Sequence, residues 1–224
     1  MIKFIKNILR KFYYILINTY RINKIILKKY GYLKSVKLRL SVNKNEEPIP
    51  WYTYSAIEYI NQLDLKDKTV FEYGSGYSSL FFARKTKNVV SIEDNKEWFE
   101  KIDENKPENL NILYKKDKEE YLSSLDKMNK KFDIIVIDAS YRLDCCDHIK
   151  NNLNNGGIVI LDNSDWYNDC ASYLRDKLNL IQVDFSGIGP INNYTWVTSL
   201  FFTRDFNFKM VDNVGPLTPI GGIK

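Results

Sequence analysis

The sequence predicts an α/β fold, a doubly wound and mostly parallel sheet of seven strands whose last strand is antiparallel. From residue 51 onward, short apolar runs alternate with segments of helical periodicity. The first five runs are mostly apolar at consecutive positions and do not alternate, as expected for parallel strands covered on both faces by crossover helices. The last two runs follow each other with no helix between them, which favours an antiparallel pair at the end of the sheet.

The predicted elements follow one another along the chain in a regular order. Strands are assigned to runs rich in β-branched and aromatic residues, and helices to the amphipathic segments between them. Helices are predicted over 55–63, 78–85, 96–104, 119–125 and 145–153. Parallel strands are predicted over 68–73, 88–93, 111–114, 132–138 and 157–161. The antiparallel pair is predicted over 180–185 and 195–202, joined by a loop that contains Gly187, Gly189 and Pro190.

The N-terminal segment differs from the rest of the chain in charge. Residues 1–45 contain twelve Lys or Arg and no Asp or Glu, although the whole chain has 33 basic and 28 acidic residues. The formal net charge of +5 therefore comes from this segment, and the remainder is mildly acidic. Apolar residues recur there at helical spacing, at Ile5, Leu9, Phe12, Leu16 and Tyr20. We therefore predict a basic amphipathic helical arm over 1–45.

Two interpretations of this arm stay open. It is either an interfacial helix on an anionic membrane surface, or a helix packed on the domain or on a second subunit, which would make the protein a homo-oligomer. Its longest uncharged run, 12–20, is far shorter than the ~20 residues that span a bilayer, and no signal-peptide cleavage site follows. We expect a cytoplasmic protein, peripheral on the inner face of the membrane in the first interpretation. Nucleic acid is not an expected partner, because no recognition motif accompanies the charge.

Proline residues mark the predicted end of the arm. Pro48 and Pro50 discourage helix at the residues before them. We therefore predict a linker over 46–50, a main domain over 51–210 and a C-terminal tail over 211–224.

A glycine-containing loop follows the first predicted strand. Gly74 and Gly76 allow a sharp turn and a close approach of the backbone to a ligand. Glu93 ends the next strand, where its carboxylate can accept hydrogen bonds from ribose hydroxyls. The third glycine of the dinucleotide fingerprint is absent, with Ser79 in its place. This pattern indicates a nucleotide-containing cofactor, and a plain strand-to-helix turn with a solvated Glu93 is the alternative.

Over residues 51–205 the chain resembles the class I S-adenosylmethionine-dependent methyltransferases, whose fold is Rossmann-like. The resemblance rests on Glu72-Tyr-Gly-Ser-Gly76, on Glu93-Asp94, on Asp117, on Asp138 and on the final hairpin. It implies that S-adenosylmethionine is the cofactor. The cofactor-binding residues it implies are Glu72, Gly74, Ser75 and Gly76 at the methionine part, Glu93 at the ribose, and Asp117 with Lys118 at the adenine.

Polar residues follow two consecutive strands of the predicted sheet. Asp138 ends one strand, and Asp162 and Asn163 end the next. Adjacent parallel strands lie about 4.8 Å apart, so these side chains should converge at the carboxyl edge of the sheet. Carboxylate and amide oxygens suit Mg²⁺ or Ca²⁺. The arrangement resembles the metal site of catechol-type O-methyltransferases. This resemblance implies a Mg²⁺ ion held by Asp138, Asp162 and Asn163 that also binds the acceptor oxygen.

The sequence departs from that metal-site pattern, and alternatives stay open. Those enzymes carry a lysine three residues after the first aspartate, where this chain has Tyr141, followed by Arg142. The polar block after the second strand also fits a turn or a helix N-cap, or a metal-free contact to the substrate. Without a metal a general base is needed, and Asp138 and His148, the only histidine, are the candidates. The predicted catalytic set is therefore Asp138, Tyr141 and His148.

Aromatic residues flank the predicted site in three places. They are Trp51 to Tyr54 before the first helix, Trp166-Tyr167 after the aspartates, and Asn193 to Trp196 at the opening of the last strand. Aromatic faces stack on sugar rings or enclose planar acceptors, although each ring alone is more simply explained as part of the core edge. We predict O-methylation of a hydroxylated small-molecule acceptor, such as a glycan or a glycan precursor. The alternatives are a nicotinamide-dependent oxidoreductase and a non-catalytic, membrane-associated adaptor with a degenerate cofactor fold.

Overall fold

The computed structural model describes residues 2–104 and 106–222 and contains one seven-stranded sheet. Its strand order is β3-β2-β1-β4-β5-β7-β6. The strands are β1 Thr69–Tyr73, β2 Asn88–Glu93, β3 Leu110–Tyr114, β4 Phe132–Ile137, β5 Leu153–Asp162, β6 Ile181–Gly187 and β7 Trp196–Phe202. Six strands are parallel, and β7 is antiparallel to both of its neighbours. The prediction of a Rossmann-like, mostly parallel sheet with an antiparallel last strand is confirmed.

Nine α-helices surround or precede the sheet in the described part of the chain. They are α1 Ile2–Lys24, α2 Tyr32–Leu38, α3 Tyr54–Gln62, α4 Tyr77–Ala83, α5 Lys96–Asp103, α6 Lys118–Leu122, α7 Ser124–Lys127, α8 Arg142–Cys146 and α9 Asn168–Ser172. Helices α3 to α5 cover one face of the sheet, and α6 to α9 cover the other. In β4, Ile134 and Val136 face one helical layer while Ile135 and Ile137 face the other, which explains the unbroken apolar run.

One predicted helix is wrong. The segment 145–153 was expected to be helical, but α8 ends at Cys146 and a turn leads into β5, which begins at Leu153. Residues 151–157 read Asn-Asn-Leu-Asn-Asn-Gly-Gly, and Asn and Gly are poor helix formers. Leu153 pairs instead with Phe132 of β4, so sheet pairing replaces the weak helical periodicity.

The two halves of the N-terminal arm have different surroundings. Most described side chains of α1 are exposed on all sides of the helix, so this helix does not pack on the domain. Residues after it do pack, because the ring of Tyr30 stacks on that of Tyr54 at 4.5 Å and its hydroxyl donates to Glu58. Ile49 is buried. Within the described residues, no helix is long and apolar enough to cross a membrane.

The C-terminal tail lies on α3. The backbone amides of Leu217 and Ile220 donate to the side chains of Gln62 and Glu58 at 3.0 Å each. The division into an arm over 1–45, a linker over 46–50, a domain over 51–210 and a tail over 211–224 stays a prediction.

Candidate active site

The loop after β1 brings the ends of β1, β2 and β4 together. Gly74 has φ +89°, and a Cβ on it would overlap the backbone carbonyl oxygen of Asp138 at the end of β4. Its amide donates to Ile92 O of β2 at 2.9 Å. Only glycine combines this left-handed backbone with this close approach. Gly76 is extended, with φ 170°, so its backbone conformation alone does not require glycine.

Glu93 is held at the end of β2 by four hydrogen bonds to its buried carboxylate. Its Oε2 accepts from the Ser75 amide at 2.8 Å and from the Ser75 hydroxyl at 3.0 Å. Its Oε1 accepts from the amides of Asp94 and Asn95 at 3.1 and 2.9 Å. Burial raises the pKa of Glu93, and these donors oppose the rise. The Ser75 hydroxyl can rotate away, which would free one acceptor position on Glu93 for a ligand hydroxyl.

Glu72 lies beneath the glycine loop and is fully buried. Its Oε2 accepts from the hydroxyls of Ser79 and Ser91, and the Ser79 hydroxyl in turn accepts from the Gly76 amide at 2.9 Å. Its Oε1 has no hydrogen-bond partner among the described residues. Burial raises the pKa of Glu72 to about 7. Glu72 therefore supports the glycine loop from within the core through Ser79 and Ser91.

Asp138 forms an ion pair at the end of β4. Arg142 Nη2 donates to Asp138 Oδ1 at 2.5 Å and lies 3.4 Å from Asn163 Oδ1. Arg142 Nη1 donates to Ala139 O at 2.5 Å, and the guanidinium lies 4.3 Å from the centre of the Tyr167 ring. Burial raises the pKa of Asp138, and the guanidinium opposes part of this rise. The side chain of Asp138 keeps 31% of its surface, which contributes to the walls of two cavities.

Asp162 ends β5 in a different environment. Its Oδ1 accepts from Thr198 Oγ1 at 2.6 Å and from Trp196 Nε1 at 3.1 Å, both on β7. Burial, and secondly the nearby charge of Asp138, raises the pKa of Asp162 to about 8. Burial therefore favours the neutral form of this carboxyl group.

The oxygen-rich block after β5 is a turn that also ties β5 to β7. Asn163 has φ +56°, and its carbonyl accepts from the Trp166 amide at 2.8 Å. The Ser164 and Ser199 hydroxyls lie 2.6 Å apart, and Asp165 Oδ1 accepts from the Val197 amide at 3.0 Å. The block is not an N-cap, because α9 begins only at Asn168 and has no side-chain cap.

The set Asp138, Asp162 and Asn163 does not fit a divalent cation. The Arg142 guanidinium lies between the oxygens of Asp138 and Asn163, where a shared cation would bind. In the described residues no three His, Cys, Asp or Glu side chains cluster in a way that would hold a metal ion.

Two adjacent cavities open at this edge of the sheet. The glycine-loop cavity, of about 350 Å³, is lined by Ser75, Gly76, Tyr77, Ser78 and Trp98, together with Arg39, Leu40, Ser41 and Ile191. The aromatic pocket, of about 210 Å³, is lined by Asp162, Asn163, Trp166, Asn192, Tyr194 and Trp196. Trp51 and Asp138 line both cavities. A molecule in one cavity would therefore meet a molecule in the other beside Asp138.

Seven predicted site residues line neither cavity. Three of them, Glu72, Gly74 and Glu93, form the glycine loop and its supports, and the other four are His148, Tyr141, Asp117 and Lys118. His148 Nδ1 lies 2.5 Å from Asp126 Oδ2, in the turn before β5, at the opposite edge of the sheet from Asp138. The structure therefore does not bring His148 to the site. His148 precedes β5, whereas Asp138 follows the parallel strand β4, so the two residues lie at opposite ends of these strands. Tyr141 packs edge-to-face on Tyr121.

The two predicted adenine contacts, Asp117 and Lys118, have local partners instead. Asp117 Oδ1 caps α6 by accepting from the Glu120 amide at 3.0 Å. Lys118 pairs with Asp144 at 2.6 Å. Neither side chain lines the glycine-loop cavity or the aromatic pocket, so their roles as adenine contacts stay predictions.

The sequence interpretation missed three residues that shape the site. Trp98 Nε1 donates to Ser75 O at 2.5 Å and so fixes the glycine loop from α5. Arg142 lies four residues after Asp138, at the start of α8, and forms an ion pair with it. Arg39 comes from the arm, and no sequence signal connects it to the glycine loop.

Comparisons with known proteins concern the fold. The sequence matches no family model and no curated protein. The structure is similar to precorrin-6y C5,15-methyltransferase from Geobacter metallireducens GS-15, with a TM-score of 0.53 and 10% identity over 66% of this chain and 87% of that one. It is also similar to cofactor-bound Rv0187 from MTB, with a TM-score of 0.54 and 16% identity over 68% of this chain and 76% of that one.

The chain has the fold of the class I S-adenosylmethionine-dependent methyltransferases. Nicotinamide-binding Rossmann domains have the order 3-2-1-4-5-6, whereas here the antiparallel β7 is inserted between β5 and β6. The resemblance noted from the glycine loop and the final hairpin is thus confirmed at the level of the fold.

Proposed function

We propose that this protein transfers a methyl group from S-adenosylmethionine to an oxygen of a hydroxylated acceptor, without a bound divalent cation. One observation carries the proposal: the glycine-loop cavity and the aromatic pocket share Trp51 and Asp138. A group-transfer enzyme needs a donor site and an acceptor site that meet at one point. Here they meet at a carboxylate.

The glycine-loop cavity is the proposed donor site. Ser75 and Gly76 line it, and Glu93 and Glu72 hold the loop from behind. The Glu93 carboxylate suits ribose hydroxyls once the Ser75 hydroxyl rotates, and the buried Glu72 supports the loop. S-adenosylmethionine, when bound, supplies an electrophilic methyl group on a sulfonium ion.

The aromatic pocket is the proposed acceptor site. Trp166 is 58% exposed and Tyr194 is 45% exposed, so their ring faces are available to a ligand. The amides of Asn163 and Asn192 and the carboxyl of Asp162 lie among these rings. Ring faces combined with hydrogen-bonding groups suit a sugar ring, and the acceptor class we propose is a glycan or a glycan precursor.

Asp138 is the proposed general base. The acceptor oxygen forms a bond to the methyl carbon as the carbon–sulfur bond breaks and its electron pair goes to sulfur. The hydroxyl proton passes to the Asp138 carboxylate, which lies beside both cavities. Arg142 keeps that carboxylate oriented, and the raised pKa of Asp138 makes it a stronger base than an exposed aspartate.

Calorimetric titration with S-adenosylhomocysteine tests the donor site. We expect micromolar binding to the wild type and at least tenfold weaker binding to Glu93→Gln. The NH₂ group of Gln would face two of the four N–H and O–H donors from which Glu93 now accepts hydrogen bonds. Asp94→Asn is the matched control and should bind within twofold of wild type. Binding of NADH with no binding of S-adenosylhomocysteine would instead support a nicotinamide-dependent oxidoreductase.

Transfer of a labelled methyl group to a panel of sugars, lipid-linked sugars and amines tests the acceptor class. We expect labelled sugar products whose formation survives EDTA and is lost in Asp138→Asn. Labelled amines would contradict O-methylation. If the protein bound neither S-adenosylhomocysteine nor NADH, the non-catalytic adaptor would be favoured.

We also propose an anionic lipid surface as the partner of α1. The helix exposes Leu9, Phe12, Leu16 and Tyr20 at helical spacing, and Phe12 is 60% exposed. The arm has no acidic residue, so its charge is complementary to an anionic leaflet. Each basic residue near such a surface adds about 1 kcal/mol. The protein would then be peripheral on the inner face of the membrane.

Co-sedimentation with vesicles tests the lipid partner. We expect binding to vesicles that contain phosphatidylglycerol, weaker binding at high salt, and none to phosphatidylcholine alone. Phe12→Asp with Leu16→Asp should abolish binding, and Val214→Asp, another exposed apolar position, should not. A wild-type dimer that the double variant converts to a monomer, with no vesicle binding, would mean that a second copy of the chain covers this helix.

A further inference from the structure

The N-terminal arm forms one wall of the glycine-loop cavity. Arg39, Leu40 and Ser41, which follow α2, line it together with Ser75 and Gly76. The arm therefore contributes to the proposed donor site directly, although the sequence suggested a separate element.

This wall is fixed by hydrogen bonds on both sides. The Leu40 amide donates to Ser35 O at 3.2 Å, and the Ser35 hydroxyl donates to Val42 O at 2.7 Å. The Ser41 hydroxyl donates to Pro50 O at 3.0 Å. Arg39 itself adopts φ +55° at the end of α2. The backbone of Arg39 is thus set by the buried residues around it.

Arg39 is the only Lys or Arg among the residues that line the cavity. Among the described residues its side chain has no acidic partner within ion-pair distance. Other basic side chains of the arm lie elsewhere on its surface, and Lys34, for example, pairs with Glu46. An uncompensated guanidinium therefore borders a cavity that is proposed to take a charged cofactor.

We propose that Arg39 binds the α-carboxylate of the cofactor, an inference that rests on the proposed function. The sulfur must lie near Asp138 and Trp51, where the two cavities meet. The adenosine part belongs on the side of Glu93 and Trp98, because Glu93 accepts from hydroxyls and the indole offers a ring. The amino-acid part then extends towards Arg39. A guanidinium pairs with a carboxylate through two parallel hydrogen bonds.

Two ligands separate this role from a general effect on the cavity. S-adenosylhomocysteine carries the carboxylate, whereas 5′-methylthioadenosine keeps the adenosine and the thioether and lacks the amino-acid part. We expect Arg39→Gln to weaken S-adenosylhomocysteine roughly tenfold to a hundredfold, the range for a lost hydrogen bond to a charged group. Binding of 5′-methylthioadenosine should stay within twofold. Arg39→Lys should restore part of the loss.

Calorimetry on the full chain measures the affinities of the wild type, Arg39→Gln and Arg39→Lys for both ligands. Lys37→Gln is the control. Lys37 is an exposed basic residue of α2 that lines neither cavity. Unchanged binding of S-adenosylhomocysteine to Arg39→Gln, or an equal loss for both ligands, would overturn the assignment while leaving the proposed function intact. Binding of neither ligand to the wild type would reject the proposed function and this inference with it.

Discussion

The guanidinium of Arg142 donates to Asp138 at 2.5 Å and lies 3.4 Å from the amide oxygen of Asn163. It thereby occupies the position between two of the three oxygen ligands that the sequence suggested for Mg²⁺. A guanidinium supplies one positive charge, fixed by its own covalent bonds, and it cannot exchange with solvent as a metal ion does. The negative charge of Asp138 is therefore balanced by Arg142 and needs no divalent cation.

Removal of that guanidinium is expected to create a weak metal site. Arg142→Gln should bind Mn²⁺ with a dissociation constant on the order of 0.1–1 mM, whereas the wild type should not bind it in that range. Electron paramagnetic resonance of free Mn²⁺ during titration measures this. The double variant Asp138→Asn, Arg142→Gln should lose the new site. Wild-type Mn²⁺ binding that Asp138→Asn abolishes would show instead that Arg142 yields its place to the metal.

The close approach of the glycine loop to β4 gives a second prediction. Gly74→Ala should lower the free energy of unfolding by about 2–4 kcal/mol, because a Cβ would overlap the Asp138 carbonyl and φ is +89°. Gly76→Ala is the matched control for stability. Its Cβ would meet the Trp98 indole nitrogen at 3.4 Å, and its backbone is extended, so the cost should stay below about 1 kcal/mol. Urea denaturation measures both, and equal losses would contradict this account of Gly74.

Truncation of the arm should distinguish its two halves. Deletion of residues 1–24 removes α1, whose described side chains are mostly exposed, and should leave the affinity for S-adenosylhomocysteine within twofold of wild type. Deletion of residues 1–45 also removes Arg39, Ser41 and the Tyr30–Tyr54 stack, and should abolish binding. Calorimetry with thermal melting as a folding control measures both. Loss of binding in the shorter deletion would show that α1 also contributes to the donor site.

The sequence was sufficient to predict most of the fold. Each strand has a strong apolar run, and six of the seven begin within one residue of the predicted start. The exception is β5, whose first residues, Leu153 to Gly156, have no strand-like pattern and join the sheet only because Leu153 pairs with Phe132. That pairing is a tertiary contact, which local periodicity cannot reveal.

The site was only partly predictable, for a related reason. Glu72, Gly74 and Glu93 follow strand ends at recognisable spacings. The partners that decide their chemistry come from distant parts of the chain: Arg39 from the arm, Trp98 from α5 and Trp196 from β7. The sequence could place Asp162 at the end of a strand, but the rise of its pKa depends on burial against β7.

The raised pKa of Asp162 predicts how stability changes with pH. Its folded-state pKa of about 8 lies above the ordinary aspartate value, so the folded state binds the proton more tightly than the unfolded state does. The contribution of Asp162 to stability is therefore full in acid, below the unfolded pKa, and is lost as pH rises towards 8.

Asp162→Asn should remove this dependence. The Asn Oδ1 can still accept from Trp196 and Thr198, so the variant should match the wild type most closely at about pH 3.5, below the unfolded aspartate pKa. Near pH 8.5 it should be more stable by roughly 1–3 kcal/mol, a difference in melting temperature of about 2–4 °C for each kcal/mol. Thermal melts at both pH values measure this difference, and Asp165→Asn, at an exposed carboxylate of the same turn, is the control. A variant less stable than the wild type at pH 8.5 would mean that Asp162 is ionised in the folded protein and that its negative charge, opposite Arg142, stabilises the site.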